Sequence, residues 1–147
     1  MSARPAPPTR ADFVWWDRQT TRWNDNDIFG HMNNAVYFEL MDTAVNNHLI
    51  AAFGRPVEEL SAIGVVAEVS CRYLREMRYP GDVEIGISVT RVGTSSISYR
   101  VGLFQGEDEE ARAEGRFVHV YVSNDDDHAV VRLPDEARAA ATALLRS

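Results

Sequence analysis

Five polar residues stand close together ahead of a long apolar stretch, and their types suit nucleophilic or acid–base chemistry. Asp25 and Asp27 are carboxylates, His31 is an imidazole, and Asn33 and Asn34 stand where the apolar stretch begins. A carboxylate can attack an electrophilic carbon or take a proton from water, and a histidine can bind a carbonyl oxygen or orient that carboxylate. The structural alternative is that the two aspartates close Asx turns and the asparagines cap a helix.

The apolar stretch predicts one long helix from Asn34 to Phe53. Its apolar residues recur at spacings of three and four, which places on one helical face Tyr37, Leu40, Met41, Ala44, Val45 and Leu49. Asn33 or Asn34 suits the N-cap, and Gly54 suits the residue that ends the helix. The first N–H groups of a helix lack intrahelical acceptors and lie at the positive end of its dipole, so they can stabilise a developing oxyanion.

The motif around this helix start resembles that of the hot-dog-fold thioesterases related to 4-hydroxybenzoyl-CoA thioesterase. The residues that carry the resemblance are Asp25-x-Asp27-x-x-Gly30-His31-x-Asn33-Asn34-x-x-Tyr37, followed by the long helix. The resemblance runs from Thr20 to Pro134 and includes the Tyr79-Pro80-Gly81-Asp82 turn and the strand that contains His119. It implies an α+β hot-dog fold, in which an antiparallel sheet wraps around one long helix.

The resemblance also implies hydrolysis of an acyl-CoA or acyl-carrier-protein thioester, with neither metal nor cofactor. Asp27 matches the catalytic carboxylate, which acts either as the nucleophile or as a general base toward water. The backbone N–H at the helix start polarises the thioester carbonyl, and we expect this donor to be Asn34, with Ala35 and Val36 as alternatives. Asp25 is expected to be structural.

His31 has a less settled role. A more distant branch, the plant acyl-carrier-protein thioesterases, uses an Asp-x-Asn-x-His pattern. Here Asp27 and His31 keep that spacing, but Phe29 replaces the Asn. His31 is therefore expected either to act on the substrate carbonyl or on Asp27, or to fix the loop.

Candidate substrate-binding residues are two members of the motif, Asn33 and Tyr37, and three arginines, Arg72, Arg75 and Arg78. Asn33 is also the expected helix cap. The arginines fall within seven residues of a chain whose net charge is −7. Guanidinium groups bind phosphates in a bidentate manner, so these residues could meet the phosphates of CoA. The alternative is that they lie on a solvated strand face.

Two other functions and a second thioesterase branch stay open. Hot-dog hydratases use an Asp and a His five residues apart in Gly-Asp-x-Asn-Pro-x-His, whereas Asp27 and His31 are four apart and no proline lies between them. A non-catalytic acyl-CoA-binding module would keep the fold without the reaction. Another thioesterase branch places its carboxylate on the central helix, where Glu39 and Asp42 are the candidates.

Length and composition limit the remaining classes of architecture and function. At 147 residues the chain predicts one domain over residues 13–147, preceded by a mobile tail over residues 1–12 that holds three prolines. The net charge of −7 argues against a nucleic-acid partner. Cys71 is the single cysteine, so neither a disulfide nor a cysteine-rich metal site is expected. Without a signal peptide or an apolar stretch long enough for membrane insertion, a cytoplasmic location is expected.

The order of predicted elements is a strand, the long helix, four strands joined mainly by short turns, and a terminal helix. Short turns join antiparallel neighbours, which independently predicts an α+β fold. His119 is expected on the sheet surface. The predicted bounds are 13–22, 63–74, 83–90, 97–103 and 112–123 for strands and 135–146 for the last helix. Because the long helix is so apolar, we expect a homodimer, or a tetramer made of two dimers.

Overall fold

A computed structural model describes residues 5–146 of the chain, and its central element is the helix α1, Asn34–Phe53. These are the predicted bounds. Asn33 is the N-cap, since its side-chain oxygen accepts a hydrogen bond from the Ala35 N–H at 2.9 Å. Gly54 ends the helix with φ of +68°, a left-handed conformation that favours glycine.

Five antiparallel strands form one sheet around this helix, in the order β1-β3-β4-β5-β2. The strands are β1, Trp15–Gln19; β2, Ala62–Tyr73; β3, Val83–Val92; β4, Ser96–Gln105; and β5, Ala113–Ser123. A second helix, α2, spans Asp135–Thr142. The α+β prediction is confirmed. The predicted ranges of the first strand, 13–22, and of the last helix, 135–146, are longer than β1 and α2.

The helix packs on one face of the sheet through a fully buried apolar row. Met41, Ala44 and Val45 have no measurable exposure, and Leu49 is 4% exposed. Met41 lies against Gly115 of β5, where a side chain would collide with its sulfur. The other side of α1 is exposed within this chain, and it carries polar residues such as Glu39 and Asp42 together with Ile50, which is 46% exposed.

The opposite face of the sheet, called here the outer face, is partly covered by the segment that precedes β1. The Phe13 ring lies directly over Gly86 and Gly102, where a Cβ atom would stand only 2.7 and 2.5 Å from it. Arg10 anchors this segment, because its backbone N–H donates to the Glu109 carbonyl at 3.2 Å. Residues 1–4 of the predicted tail lie outside the described residues.

Two histidines are buried beside the helix. The side chain of His119 is 1% exposed, which shows that the prediction of a surface position was wrong. It lies on β5 and faces α1, in edge contact with the Tyr99 ring at 5.4 Å. His48 of α1 similarly contacts Trp15 at 5.2 Å. Burial lowers the pKa of both histidines, so they are neutral at physiological pH.

β2 is the longest strand, and one of its edges has no neighbouring strand within the described residues. Its register with β5 shifts between Val66 and Glu68, and exposed residues lie on both sides of this shift. The exposed apolar side chains are Val65 (41%), Val66 (47%), Val69 (39%) and Tyr73 (43%). An apolar edge of this kind is suited to pairing with another strand.

No helix within residues 5–146 has both the length and the apolar content needed to cross a bilayer.

Candidate active site

The loop before α1 is built on the buried carboxylate of Asp25. This side chain accepts hydrogen bonds from the Arg22 backbone N–H at 2.8 Å and from the Arg22 guanidinium at 2.9 Å. The Asp25 carbonyl accepts the Asn33 N–H at 2.8 Å. Both ends of the loop are therefore tied together, and both carboxylate oxygens of Asp25 are occupied.

Asp27 lies at the tip of the same loop and is half-buried. Its Oδ1 accepts hydrogen bonds from the backbone N–H groups of Phe29 at 2.8 Å and His31 at 3.3 Å. Gly30, with φ of +78°, makes the reversal that brings those donors around the carboxylate. Within residues 5–146 the other oxygen, Oδ2, receives no hydrogen bond, so one oxygen orients the group and the second is available for chemistry.

A cavity of about 240 Å³ opens beside Asp27 at the start of α1. It brings together five residues singled out by sequence, namely Asp27, His31, Asn34, Tyr37 and Arg75. Its remaining lining residues are Met32, Tyr73, Leu74 and Glu76. A carboxylate and the positive end of a helix thus share one small cavity.

The hydrogen bonds at the helix start distinguish the three candidate oxyanion donors. The Ala35 N–H is held by the Asn33 side chain, and the Val36 N–H donates to the Asn33 carbonyl at 2.9 Å. The Asn34 N–H has no acceptor among the described residues. Of the three, Asn34 is therefore the residue whose N–H remains available to a ligand in the cavity.

His31 is paired with a glutamate that the sequence did not single out. The Nε2 atom of His31 lies 3.0 Å from Oε2 of Glu76, just after β2. The backbone carbonyl of His31 accepts the Asp27 N–H at 2.7 Å. His31 thus stabilises the turn through its backbone and points its ring toward the Glu76 side of the cavity.

Two tyrosines form the wall of the cavity. The Tyr37 hydroxyl accepts the Met77 N–H at 3.2 Å, and burial raises the pKa of Tyr37. The Tyr73 ring meets the Tyr37 ring edge-on at 4.9 Å. The Tyr73 hydroxyl donates to the Asn34 carbonyl at 3.2 Å, which links strand β2 to the first residue of α1.

The three predicted arginines are separated by the sheet. Arg75 lines the Asp27 cavity, and Arg75 and Arg78 line an adjoining cavity of about 390 Å³ together with Glu76 and Arg112. Arg72 lies on the outer face, where its guanidinium is 2.8 Å from Glu114. The structure therefore brings Arg75 and Arg78 to the site and does not bring Arg72. Asn33 caps the helix and does not line the Asp27 cavity.

Thiol chemistry is not available at this site. Burial raises the pKa of the Cys71 thiol to about 11, so the thiol is protonated at neutral pH, and it does not line the Asp27 cavity. Among the described residues no group of three or more His, Cys, Asp or Glu side chains could hold a metal ion.

Sequence reasoning missed Glu76 and Tyr73 as site residues. Glu76 stands among arginines, where a charged residue gives no signal beyond a solvated turn. Tyr73 has the strand parity of the helix-facing side of β2, but nothing in the sequence shows that the strand ends beside the helix start. Both residues are brought to the site by contacts between distant parts of the chain.

Comparison with known proteins relates the chain to a family. The model of the thioesterase-like superfamily matches residues 21–141. The crystal structure of the PA5185 protein from Pseudomonas aeruginosa strain PAO1 has 40% sequence identity and a TM-score of 0.91, with 97% of this chain and 99% of that chain covered. The YsmA protein of Bacillus subtilis strain 168 is 28% identical over 131 residues, which cover 86% of this chain and 84% of YsmA.

A more distant structure shares the fold. Slr0204, a 1,4-dihydroxy-2-naphthoyl-CoA thioesterase from Synechocystis, has a TM-score of 0.77 at 11% identity, with 86% of this chain and 94% of that chain covered. The predicted hot-dog fold is confirmed.

Proposed function

The chain belongs to the thioesterase-like superfamily and is a thioester hydrolase, and we propose that it cleaves an acyl-CoA or acyl-carrier-protein thioester in the cavity beside Asp27. One observation carries this proposal. Asp27, with one carboxylate oxygen unoccupied, and Asn34, the first residue of α1, line the same cavity. That pairing supplies an attacking group and an oxyanion donor on the two sides of a thioester carbonyl.

In the proposed reaction the thioester oxygen lies at the Asn34 N–H and the carbonyl carbon faces Oδ2 of Asp27. If Asp27 is the nucleophile, its oxygen bonds to the carbon, the thiolate leaves, and water hydrolyses the resulting anhydride. If Asp27 is a general base, it takes a proton from water as the water oxygen bonds to the carbon, and the tetrahedral intermediate expels the thiolate. In both cases the negative oxygen develops at the helix start.

The other cavity residues receive supporting roles. His31, oriented by Glu76 at 3.0 Å, is proposed to contact the substrate near the carbonyl. Tyr37 and Tyr73 are proposed to form the wall against the acyl group. Arg75 and Arg78 are proposed to meet the phosphates of CoA, since their cavity of about 390 Å³ adjoins that of Asp27 and holds the additional arginine Arg112.

We also propose that residues 13–147 form a single domain and that two copies associate through the exposed edge of β2. Tyr73 belongs to this edge strand and lines the Asp27 cavity. A partner paired along β2 would therefore lie close to the cavity and could help to enclose it.

The proposal predicts that Asp27→Asn lowers turnover by about 10²–10⁴, the usual contribution of one positioned acid–base group. The variant should remain folded, because an amide oxygen can still accept the Phe29 and His31 N–H groups. Thiol release from acyl-CoAs of graded chain length measures the rate, and circular dichroism checks the fold.

The matched control is Asp42→Asn, which makes the same change on the exposed side of α1. It tests the alternative branch, whose carboxylate lies on the central helix. Loss of turnover in Asp42→Asn with retention in Asp27→Asn would overturn the assignment. Crotonyl-CoA distinguishes the reactions, because hydrolysis releases thiol whereas a hydratase removes the enoyl absorbance. Binding without either change would indicate a non-catalytic module.

A further inference from the structure

A second cavity, of about 360 Å³, lies on the outer face of the sheet, away from α1 and from Asp27. Three arginines from three adjacent strands line it: Arg72 of β2, Arg100 of β4 and Arg116 of β5. Glu114 and Ser70 complete its floor, and Pro5 and Ala6 border it. Neighbouring β5 residues such as Phe117 are buried in the core, so Glu114 and Arg116 point outward by strand alternation.

Two of these arginines stand directly opposite each other. Arg100 pairs with Arg116 across β4 and β5, and Arg116 pairs with Ser70 across β5 and β2. Like charges in directly opposed positions destabilise a sheet unless something neutralises them. This positive pair occurs in a chain whose net charge is −7, so it is not the result of a generally basic surface.

Glu114 compensates only part of this charge. Its side chain is 5% exposed, and it lies 2.8 Å from Arg72 and 2.6 Å from Arg100. Burial alone would raise the pKa of Glu114, but hydrogen bonds from both arginines outweigh burial and hold it below the ordinary value. One carboxylate against three guanidinium groups leaves an excess of two positive charges at the cavity.

The contacts with Glu114 also determine which guanidinium nitrogens remain available to a ligand. Arg100 uses its Nε on Glu114, which leaves both of its terminal nitrogens for another acceptor. Within residues 5–146, Arg116 makes no ion pair and no side-chain hydrogen bond. A neighbouring cavity of about 260 Å³ shares Ser70 and Arg116 and extends the groove toward Arg91 and Glu68.

We propose that this arginine cavity binds a compact polyanion that carries phosphate groups, such as pyrophosphate or the phosphates of a nucleotide. Planar guanidinium groups match phosphate oxygens in a bidentate manner, and Glu114 holds two of the three groups here, those of Arg72 and Arg100, in place. The volume of about 360 Å³ is within the range of small-molecule sites. This binding is independent of thioester hydrolysis, because the cavity lies on the other side of the sheet.

The test is isothermal titration calorimetry of the full chain with pyrophosphate and, separately, with adenosine 3′,5′-bisphosphate. Arg116→Gln removes the arginine that has no partner and should not disturb folding. We expect saturable binding to the parent, with a Kd raised about tenfold in Arg116→Gln, the effect of losing charge-assisted hydrogen bonds. Arg116→Lys retains the charge but not the bidentate geometry, so its Kd should lie between those of the parent and Arg116→Gln.

Arg132→Gln is the control, because Arg132 is exposed and does not line the cavity. It should bind both probes like the parent. Stronger binding of adenosine 3′,5′-bisphosphate, lost in Arg116→Gln, would support the site and identify its ligand as a nucleotide. Stronger binding of pyrophosphate, also lost in that variant, would support the site and identify a free polyphosphate. Absence of saturable binding to the parent, or an equal Kd in Arg116→Gln and the parent, would overturn the proposal.

Discussion

Asp25 and Asp27 are two residues apart, yet their surroundings give them different capacities. Asp25 is 3% exposed and both of its oxygens accept hydrogen bonds from Arg22. Asp27 is held through one oxygen and is open at the other. The Asx-turn interpretation and the catalytic interpretation of Asp27 are therefore compatible, because the turn orients the carboxylate without occupying it.

The backbone donor at Asn34 leads to a prediction about side chains. Asn34→Ala retains the N–H that is proposed to bind the oxyanion, and the hydrogen bonds of Asn33 to its neighbours do not depend on the Asn34 side chain. We expect turnover to fall by less than the roughly 10² that loss of an oxyanion donor causes. Steady-state thiol release from Asn34→Ala and Asp27→Asn, measured together, checks this order.

The helix cap provides the control for that experiment. Asn33→Ala removes the acceptor of the Ala35 N–H and should lower the free energy of unfolding by about 1 kcal/mol. Asn34→Ala should not, since its side chain makes no hydrogen bond within residues 5–146. If Asn34→Ala inactivates the enzyme as strongly as Asp27→Asn while remaining equally stable, the side chain rather than the backbone is the donor.

At the scale of single residues, sequence patterns could locate Asp27, His31 and Asn34 because they lie within one local turn and helix start. They could not locate the arginines. Strand alternation would place Arg72 and Arg78 on one side and Arg75 on the other, but β2 ends at Tyr73, and alternation no longer applies beyond it. Arg72 lies with Glu114 on the outer face, whereas Arg78 lies with Arg75 beside the Asp27 cavity.

At the scale of elements, α1 was predictable to the residue because its signals are local, namely a cap, an apolar period and a terminating glycine. The first strand was not. Phenylalanine is common in strands, which favoured a strand that starts at Phe13. In the structure the Phe13 ring packs on the outer face above Gly86 and Gly102, and β1 begins only at Trp15. The burial of His119 could not be predicted either, since alternation alone does not say which face of a sheet packs against the helix.

The packing of α1 on the sheet depends on the absence of a side chain at Gly115. A Cβ atom there would collide with the Met41 sulfur and approach its methyl carbon at 3.0 Å. Gly115→Ala should therefore lower the free energy of unfolding by about 1–3 kcal/mol, as overpacking does in close-packed cores. Urea unfolding followed by circular dichroism measures the change.

Met41, the other residue of that contact, offers a specific control. Met41→Ala alone creates space, and it too should destabilise the protein. Combined with Gly115→Ala, the two changes should be less destabilising than the sum of the single ones, because each relieves the other. Strictly additive values would show that Met41 and Gly115 do not determine the separation of helix and sheet.

At the scale of the whole molecule, the sheet separates two sides that carry different chemical groups. One side holds α1, the buried histidines and the Asp27 cavity, and the other holds Phe13 and the arginine cavity. The long edge of β2 connects the two sides, since Tyr73 faces the first and Arg72 the second. A partner at this edge would thus be placed beside both.

The exposed edge of β2 predicts a two-fold symmetric dimer, in which the same strand of each copy pairs with the other. Unpaired backbone groups and exposed valines along one strand are the features that favour such pairing. Sedimentation equilibrium of the parent should give twice the chain mass of 16.5 kDa. Val66→Lys places a charge on a side chain that is 47% exposed on this edge, and it should shift the mass toward that of one chain.

Val130→Lys is the matched control, because Val130 is 65% exposed but lies outside β2. It should leave the mass unchanged. Since Tyr73 lines the Asp27 cavity from the same edge, the dissociated Val66→Lys variant should also release thiol more slowly, and more so at low protein concentration, where dissociation is greatest. A parent that sediments as a single chain, or a Val66→Lys variant that stays dimeric, would place the contact between copies elsewhere or remove it, and the cavity beside Asp27 would then have to act without help from a partner.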